Sequence, residues 1–187
     1  MRQRILDVAA DKYYRFGFSR VTVDELVEEL RTSKSMIYRH FRSKEEIVRA
    51  LLLRVNNEIN RKLESVVNDP DRVFSDKLEA ITVYTGQLLS RVGEPFLEDL
   101  RTQLPGLWEQ YLDMRRERLE QYYLRLINEG VSQGELRNDI DPEFMLLVYT
   151  KLTELAVDPS AFQAFPITGT QAYQWISSLF VKGAQKP

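Results

Sequence analysis

Residues 22–46 read TVDELVEELRTSKSMIYRHFRSKEE, and this stretch holds two short helices, the turn between them and the start of a longer one. Thr22 followed by Glu25 is a capping box, in which hydroxyl and carboxylate each satisfy an orphan backbone N–H at a helix start. Val23, Leu26, Val27 and Leu30 then follow the i, i+3, i+4, i+7 spacing of one apolar helix face. Ser33 is the natural cap of the next helix, from Lys34 to about His40, with Ile37 and Phe41 turned inward. Ser43 and Glu46 form a second capping box that opens the longer helix. Two short helices joined by a tight turn, the second with polar and basic residues outward, have the dimensions of a helix-turn-helix. The major groove of B-DNA, about 12 Å wide, admits one such helix if a partner helix holds its inner face.

The same punctuation continues in both directions. Before this stretch, Ile5, Ala9, Tyr13 and Phe16 recur at helical spacing until Gly17. After it, Val48, Leu51, Leu52, Val55, Ile59, Leu63 and Val66 form a stripe that ends at Asn68-Asp69-Pro70. A fifth helix is expected from about Asp71 to Val92, a short sixth from Phe96 to Gln103, and a long seventh from Pro105 to Gly130 or Gly134. Asp141-Pro142 is a cap with a first-turn proline and opens an eighth helix that stops before Pro159. Thr168 and Gln171 give another capping box, and a ninth helix runs to about Lys182. The expected fold is all-α with about nine helices: a DNA-binding domain over residues 1–47 and a larger helical domain over 48–187.

Composition limits the chemistry. The chain of 187 residues has no cysteine and one histidine, His40, so thiolate metal sites, cysteine nucleophiles and a histidine-rich metal centre are excluded. No cofactor and no metal are expected. The chain also lacks a Glu-x-x-His pair, a phosphate-binding glycine loop and a nucleophile elbow, so no enzyme is expected. Its longest apolar run, Phe144 to Tyr149, is far short of the roughly 20 residues that span a bilayer, and the amino terminus lacks a signal-peptide core. A soluble, cytoplasmic protein with no membrane partner is the expectation.

The net charge of −2 conceals a division. Residues 1–54 carry 12 basic and 8 acidic side chains, and the remainder is acidic. From Arg31 to Lys44 there are five cations, a histidine and no acid. Ser33, Lys34 and Ser35 lie where free N–H groups and the positive helix dipole attract phosphate, and Lys44 stands at a second helix start. Ser35, Met36, Arg39 and His40 point away from Ile37 and Phe41, towards base edges or phosphates; His40 could equally be a simple helix-end cation.

At this point residues 5 to about 52 resemble the DNA-binding domain of the TetR family of bacterial transcriptional regulators. The resemblance rests on Phe16-Gly17-Phe18, Thr22-Val23, the helix from Ser33-Lys34 through Tyr38 to Phe41, and Lys44-Glu45-Glu46, all in register. It implies that Thr22 joins the DNA contacts and that Tyr38 reaches a phosphate. It also implies double-stranded operator DNA and a small-molecule effector as partners. The chain departs from the family at the turn, with Arg31 where glycine is common, and at Met36, where threonine is frequent.

Beyond residue 52 the likeness is one of architecture. Tyr84, Phe96, Leu100, Leu104, Trp108, Tyr111 and Tyr123 are either core packing or the lining of an apolar ligand pocket, and the resemblance favours the pocket. Glu98, Asp99 and Glu109 would favour a cationic ligand if they face inward. The run Arg115-Arg116-Glu117-Arg118 reads as a solvated face. Leu147, Val148, Leu152 and Leu155, then Trp175, Ile176, Leu179 and Phe180, give the last two helices a wide apolar surface, which is either buried completely within one chain or, the favoured reading, packed in a homodimer through a four-helix bundle. The expected function is a ligand-responsive regulator, a repressor released from a near-palindromic operator by a small molecule; the alternative is a helical interaction or ligand-carrier module without DNA binding.

Overall fold

The structure is a computed structural model and describes residues 1–162 and 164–186, with the side chain of Pro159 left aside. Among the described residues the chain is helical: α1 (Arg2–Phe16), α2 (Val23–Leu30), α3 (Lys34–His40), α4 (Lys44–Val67), α5 (Phe74–Val92), α6 (Glu94–Gln103), α7 (Pro105–Arg118), α8 (Leu124–Ser132), α9 (Pro142–Val157) and α10 (Gly169–Ala184). A π turn, Leu119–Tyr123, carries α7 into α8, so these two segments are the single seventh helix expected from the sequence. No described helix is long and apolar enough to cross a membrane.

The caps explain why the elements start where they do. Thr22 accepts from the Glu25 N–H at 3.2 Å while Glu25 accepts from the Thr22 N–H at 2.6 Å, a complete capping box. Thr168 and Gln171 make the same reciprocal pair at the start of α10. At α4 the box is shared differently. Ser43 accepts from the Glu46 N–H at 3.1 Å, but the Glu46 carboxylate reaches back one residue further, to the Arg42 N–H. In α1 the buried stripe is Ile5, Leu6, Ala9, Ala10, Tyr13 and Tyr14. Phe16, expected on that stripe, is instead 46% exposed with the Arg15 guanidinium over its ring, because Gly17 ends the helix before that face meets the core.

The described chain divides into two compact units, and each has its own core. The first joins residues 1–58 with 91–111. Here α1 packs against α2, α3 and α6, and Ile5, Tyr13, Leu26, Ile37, Phe41 and Phe96 are almost fully buried. The second unit joins residues 59–90 with 112–187, and α9 packs on α10 and α8. Its centre is aromatic. Tyr149 stacks on Tyr123 at 5.1 Å, lies 4.9 Å from the Phe180 ring, and shares a hydroxyl hydrogen bond of 3.2 Å with Tyr173. Burial holds the Tyr123 and Tyr149 phenols well above their ordinary pKa.

Within the second unit the run Arg115–Arg118 corrects the sequence reading. Arg116 and Glu117 are exposed, but Arg115 and Arg118 are only 7% and 9% exposed. Helical periodicity puts residues 115, 118 and 119 on one inward face, and the long aliphatic stem of arginine tolerates that position.

Candidate nucleic-acid interface

The turn between α2 and α3 is built from the backbone. The Arg31 N–H donates to the Glu28 carbonyl at 3.0 Å and the Thr32 N–H to the Val27 carbonyl at 3.1 Å, a Schellman-type stop. Arg31 therefore takes the left-handed conformation, φ 50° and ψ 52°. That backbone costs a non-glycine residue about 1–2 kcal/mol. Arg31→Gly should accordingly raise the unfolding free energy by about 1 kcal/mol, after the entropy glycine loses on folding. Urea denaturation checks this, and a loss of stability would mean that the arginine side chain makes contacts outweighing its strain.

Ser33 then accepts from the Met36 N–H at 3.2 Å and starts α3. This helix is divided cleanly. Ile37 and the following Phe41 are each 1% exposed, and the Arg2 guanidinium sits 4.8 Å over the Phe41 ring. On the opposite side Ser33, Lys34, Ser35, Tyr38 and Arg39 are exposed, Tyr38 at 48%, while Met36 and His40 are half-buried. Thr22 is exposed at the start of α2.

The two lysines are placed differently. Lys34 is exposed and paired with Asp24 at 2.9 Å, an ion pair that ties the start of α3 to the start of α2 and raises the lysine pKa. Lys44 is half-buried: its ammonium lies 3.5 Å from the Ser19 carbonyl and 5.9 Å from the centre of the Tyr13 ring. Burial lowers its pKa, against the pull of Asp99 and Glu25. Sequence reasoning assigned both to phosphate, and in the free chain each already has a neighbour.

Helix α6 fixes the loop that leads into α2, a feature the sequence reading missed. The Asp99 carboxylate accepts from the Ser19 N–H at 2.7 Å and from the Ser19 hydroxyl at 2.8 Å. Phe96 meets Tyr14 edge-on at 5.1 Å and Phe18 at 6.0 Å. Asp99 is thus engaged with Ser19, and Glu98 with Arg101 at 2.8 Å, so neither is the free inward acid that a cationic ligand would need. Glu109 is exposed.

The seven aromatic and apolar residues read as a pocket are distributed over both units. Phe96 and Leu100 belong to the core of the first, where Leu104 is half-buried and Trp108 lies 5.4 Å from the half-buried Tyr111. Tyr123 is in the aromatic core of the second unit, and Tyr84 borders a cleft there with Lys62. On α9 and α10, Leu147, Leu155, Trp175 and Leu179 are exposed, whereas Val148, Leu152, Ile176 and Phe180 are half-buried.

Residues 5–51 match the model of the bacterial regulatory proteins, tetR family. The HTH-type transcriptional regulator SrpR of Pseudomonas putida is 27% identical over 158 residues, covering 81% of this chain and 70% of SrpR. The fold is that of SmeT, the repressor of the Stenotrophomonas maltophilia multidrug efflux pump SmeDEF: TM-score 0.73 at 18% identity, covering 100% of this chain and 91% of that one. A SmeT–triclosan complex has the same fold, with a TM-score of 0.71 at 17% identity over 99% of this chain and 91% of that one. The helix-turn-helix geometry and the match over it lead to one conclusion: residues 5–51 are similar to the bacterial regulatory proteins of the tetR family, in a chain whose all-helical fold is that of SmeT.

Proposed function

We propose that the chain is a ligand-responsive transcriptional repressor that binds a near-palindromic operator as a homodimer and leaves it when a small molecule binds. The observation that carries this reading is α3, anchored by Ile37 and Phe41 and presenting Ser35, Tyr38 and Arg39 to solvent. On this reading α3 enters the major groove, with Thr22, Ser33, Lys34, Ser35, Tyr38 and Lys44 at phosphates and Met36, Arg39 and His40 nearest the base edges. Lys34 exchanges or shares Asp24 on binding.

The exposed Leu147, Leu155, Trp175 and Leu179, the last at 73%, support a second copy of the chain as the partner of α9 and α10, since an apolar face of this kind marks an association surface. A twofold dimer places two α3 helices in successive major grooves, about 34 Å apart. The effector site lies in the helical part that follows α4, and the triclosan complex of SmeT supports a small-molecule ligand. A ligand releases DNA only by the difference in its affinity for the two states.

Footprinting on the DNA flanking the chain's own coding region tests the reading. Two protected half-sites related by a dyad are expected, with affinity falling steeply as salt rises because phosphate contacts release counterions. Absence of protection at low salt would sink it.

A further inference from the structure

Among the described residues Arg31 is the one non-glycine residue with a positive φ, and it stands in the turn of the helix-turn-helix. We propose that Arg31 is a further phosphate ligand in the DNA complex, and that the strained backbone at this turn is retained for the guanidinium it places there. The inference rests on the repressor reading and adds a residue to its DNA-binding surface.

The conformation is imposed by the stop at the end of α2. The Arg31 N–H donates to the Glu28 carbonyl at 3.0 Å and the next N–H reaches back to the Val27 carbonyl at 3.1 Å, so position 31 is left-handed whatever side chain it carries. Glycine adopts that conformation freely, and asparagine more readily than arginine. Nothing within the chain offsets the strain. The Arg31 side chain is exposed and has no ion pair or hydrogen bond among the described residues, and the exposed Glu28, one turn earlier on α2, is not paired with it. Residues held in such conformations cluster at ligand clamps and switch regions, where the strain serves a contact made outside the local backbone.

Charge decides what that contact is. Arg31 opens the run to Lys44 that holds five cations and no acid. Lys34, three residues on, is already paired with Asp24 at 2.9 Å, and the half-buried Lys44 has its ammonium 3.5 Å from the Ser19 carbonyl. Arg31 therefore stands beside the start of α3 as a cation that gives up no partner when it meets an anion. It lies two residues before Ser33, the cap of α3, which the proposed surface sets against a phosphate. The long arginine stem carries the planar guanidinium to the same strand, where it binds a phosphate through two parallel N–H donors. Glycine, common at this turn in the TetR family, supplies no such donor.

Three substitutions separate the contact from the strain. Arg31→Gly and Arg31→Asn remove the charge and ease the backbone, whereas Arg31→Lys keeps both charge and strain. Fluorescence anisotropy follows each protein on the footprinted duplex and on a scrambled duplex of the same length, from about 50 to about 200 mM salt, with urea denaturation in parallel. Arg31→Gly and Arg31→Asn are expected to be more stable than the parent chain, yet to bind both duplexes roughly tenfold more weakly, with the salt slope reduced by about one per protomer. Arg31→Lys should hold the parent slope. A gain in stability joined to a loss of affinity is a pairing that a merely structural residue does not give. Undiminished affinity in Arg31→Gly, weaker affinity at an unchanged salt slope, a loss confined to the footprinted duplex, or a lysine variant with the slope of the glycine variant overturns the proposal. A less stable Arg31→Gly protein does so as well, since it would give the side chain a partner within the chain. A parent chain that binds neither duplex at low salt sinks the repressor reading, and this inference with it, before any variant is compared.

Discussion

Replacing Tyr38 and Arg39 together by alanine is expected to lower affinity for the footprinted operator at least 100-fold while leaving the melting temperature within a degree or two. The two side chains are exposed on the face of α3 opposite Ile37 and Phe41, so truncation removes nothing from the core. A side chain that reaches a base edge or a phosphate contributes about 1–3 kcal/mol. The proposed dimer would present each contact twice, so even 1 kcal/mol at each of four contacts gives about 4 kcal/mol, close to a thousandfold. Fluorescence anisotropy of a labelled duplex, with unfolding followed in parallel, measures both quantities. Undiminished affinity in the folded variant would remove α3 from the DNA and with it the proposed function.

The part of the molecule behind that prediction was the most legible in the sequence. Capping residues and apolar spacing act within a turn or two, so Thr22–Glu25 and Ser33 marked the starts of α2 and α3, and Ile37 and Phe41 marked the inner face. Even the departure at Arg31 could be read, because a tight stop after Leu30 demands a left-handed residue whatever occupies the position. Long-range partners carried no such mark. Nothing local in Asp99 announces a bond to Ser19, 80 positions away, and nothing in Phe96 separates a ring packed on Tyr14 and Phe18 from one lining a ligand pocket. For the same reason the sequence set residues 1–47 apart, whereas the first compact unit also takes in residues 91–111. Arg115 and Arg118 illustrate a different limit: side-chain charge suggested solvent, and helical phase turned both inward.

Gly93→Ala should be among the most damaging single substitutions in the first unit, although it adds one methyl group. Gly93 caps α6 with φ 72°, a conformation that costs an alanine about 1–2 kcal/mol. Its added Cβ would also stand 2.3 Å from the Tyr14 carbonyl oxygen, inside any permitted contact. Relief requires the start of α6 to move off α1, which disturbs Phe96 against Tyr14 and pulls Asp99 from Ser19. A total loss of about 3 kcal/mol or more follows, lowering the melting temperature by roughly 6–12 °C for a chain of this size. Gly106→Ala supplies the internal comparison. Gly106 lies in the first turn of α7 with no foreign atom within 4 Å of an added Cβ, so the same methyl should stabilise by up to about 1 kcal/mol. Urea denaturation of the two variants should therefore shift in opposite directions. Equal shifts would show that α6 does not approach the α1 backbone as closely as 2.3 Å implies. Because Asp99 holds the loop entering α2, the Gly93→Ala protein should also bind operator more weakly than its folded fraction accounts for, which links the packing of α6 to the placement of α3.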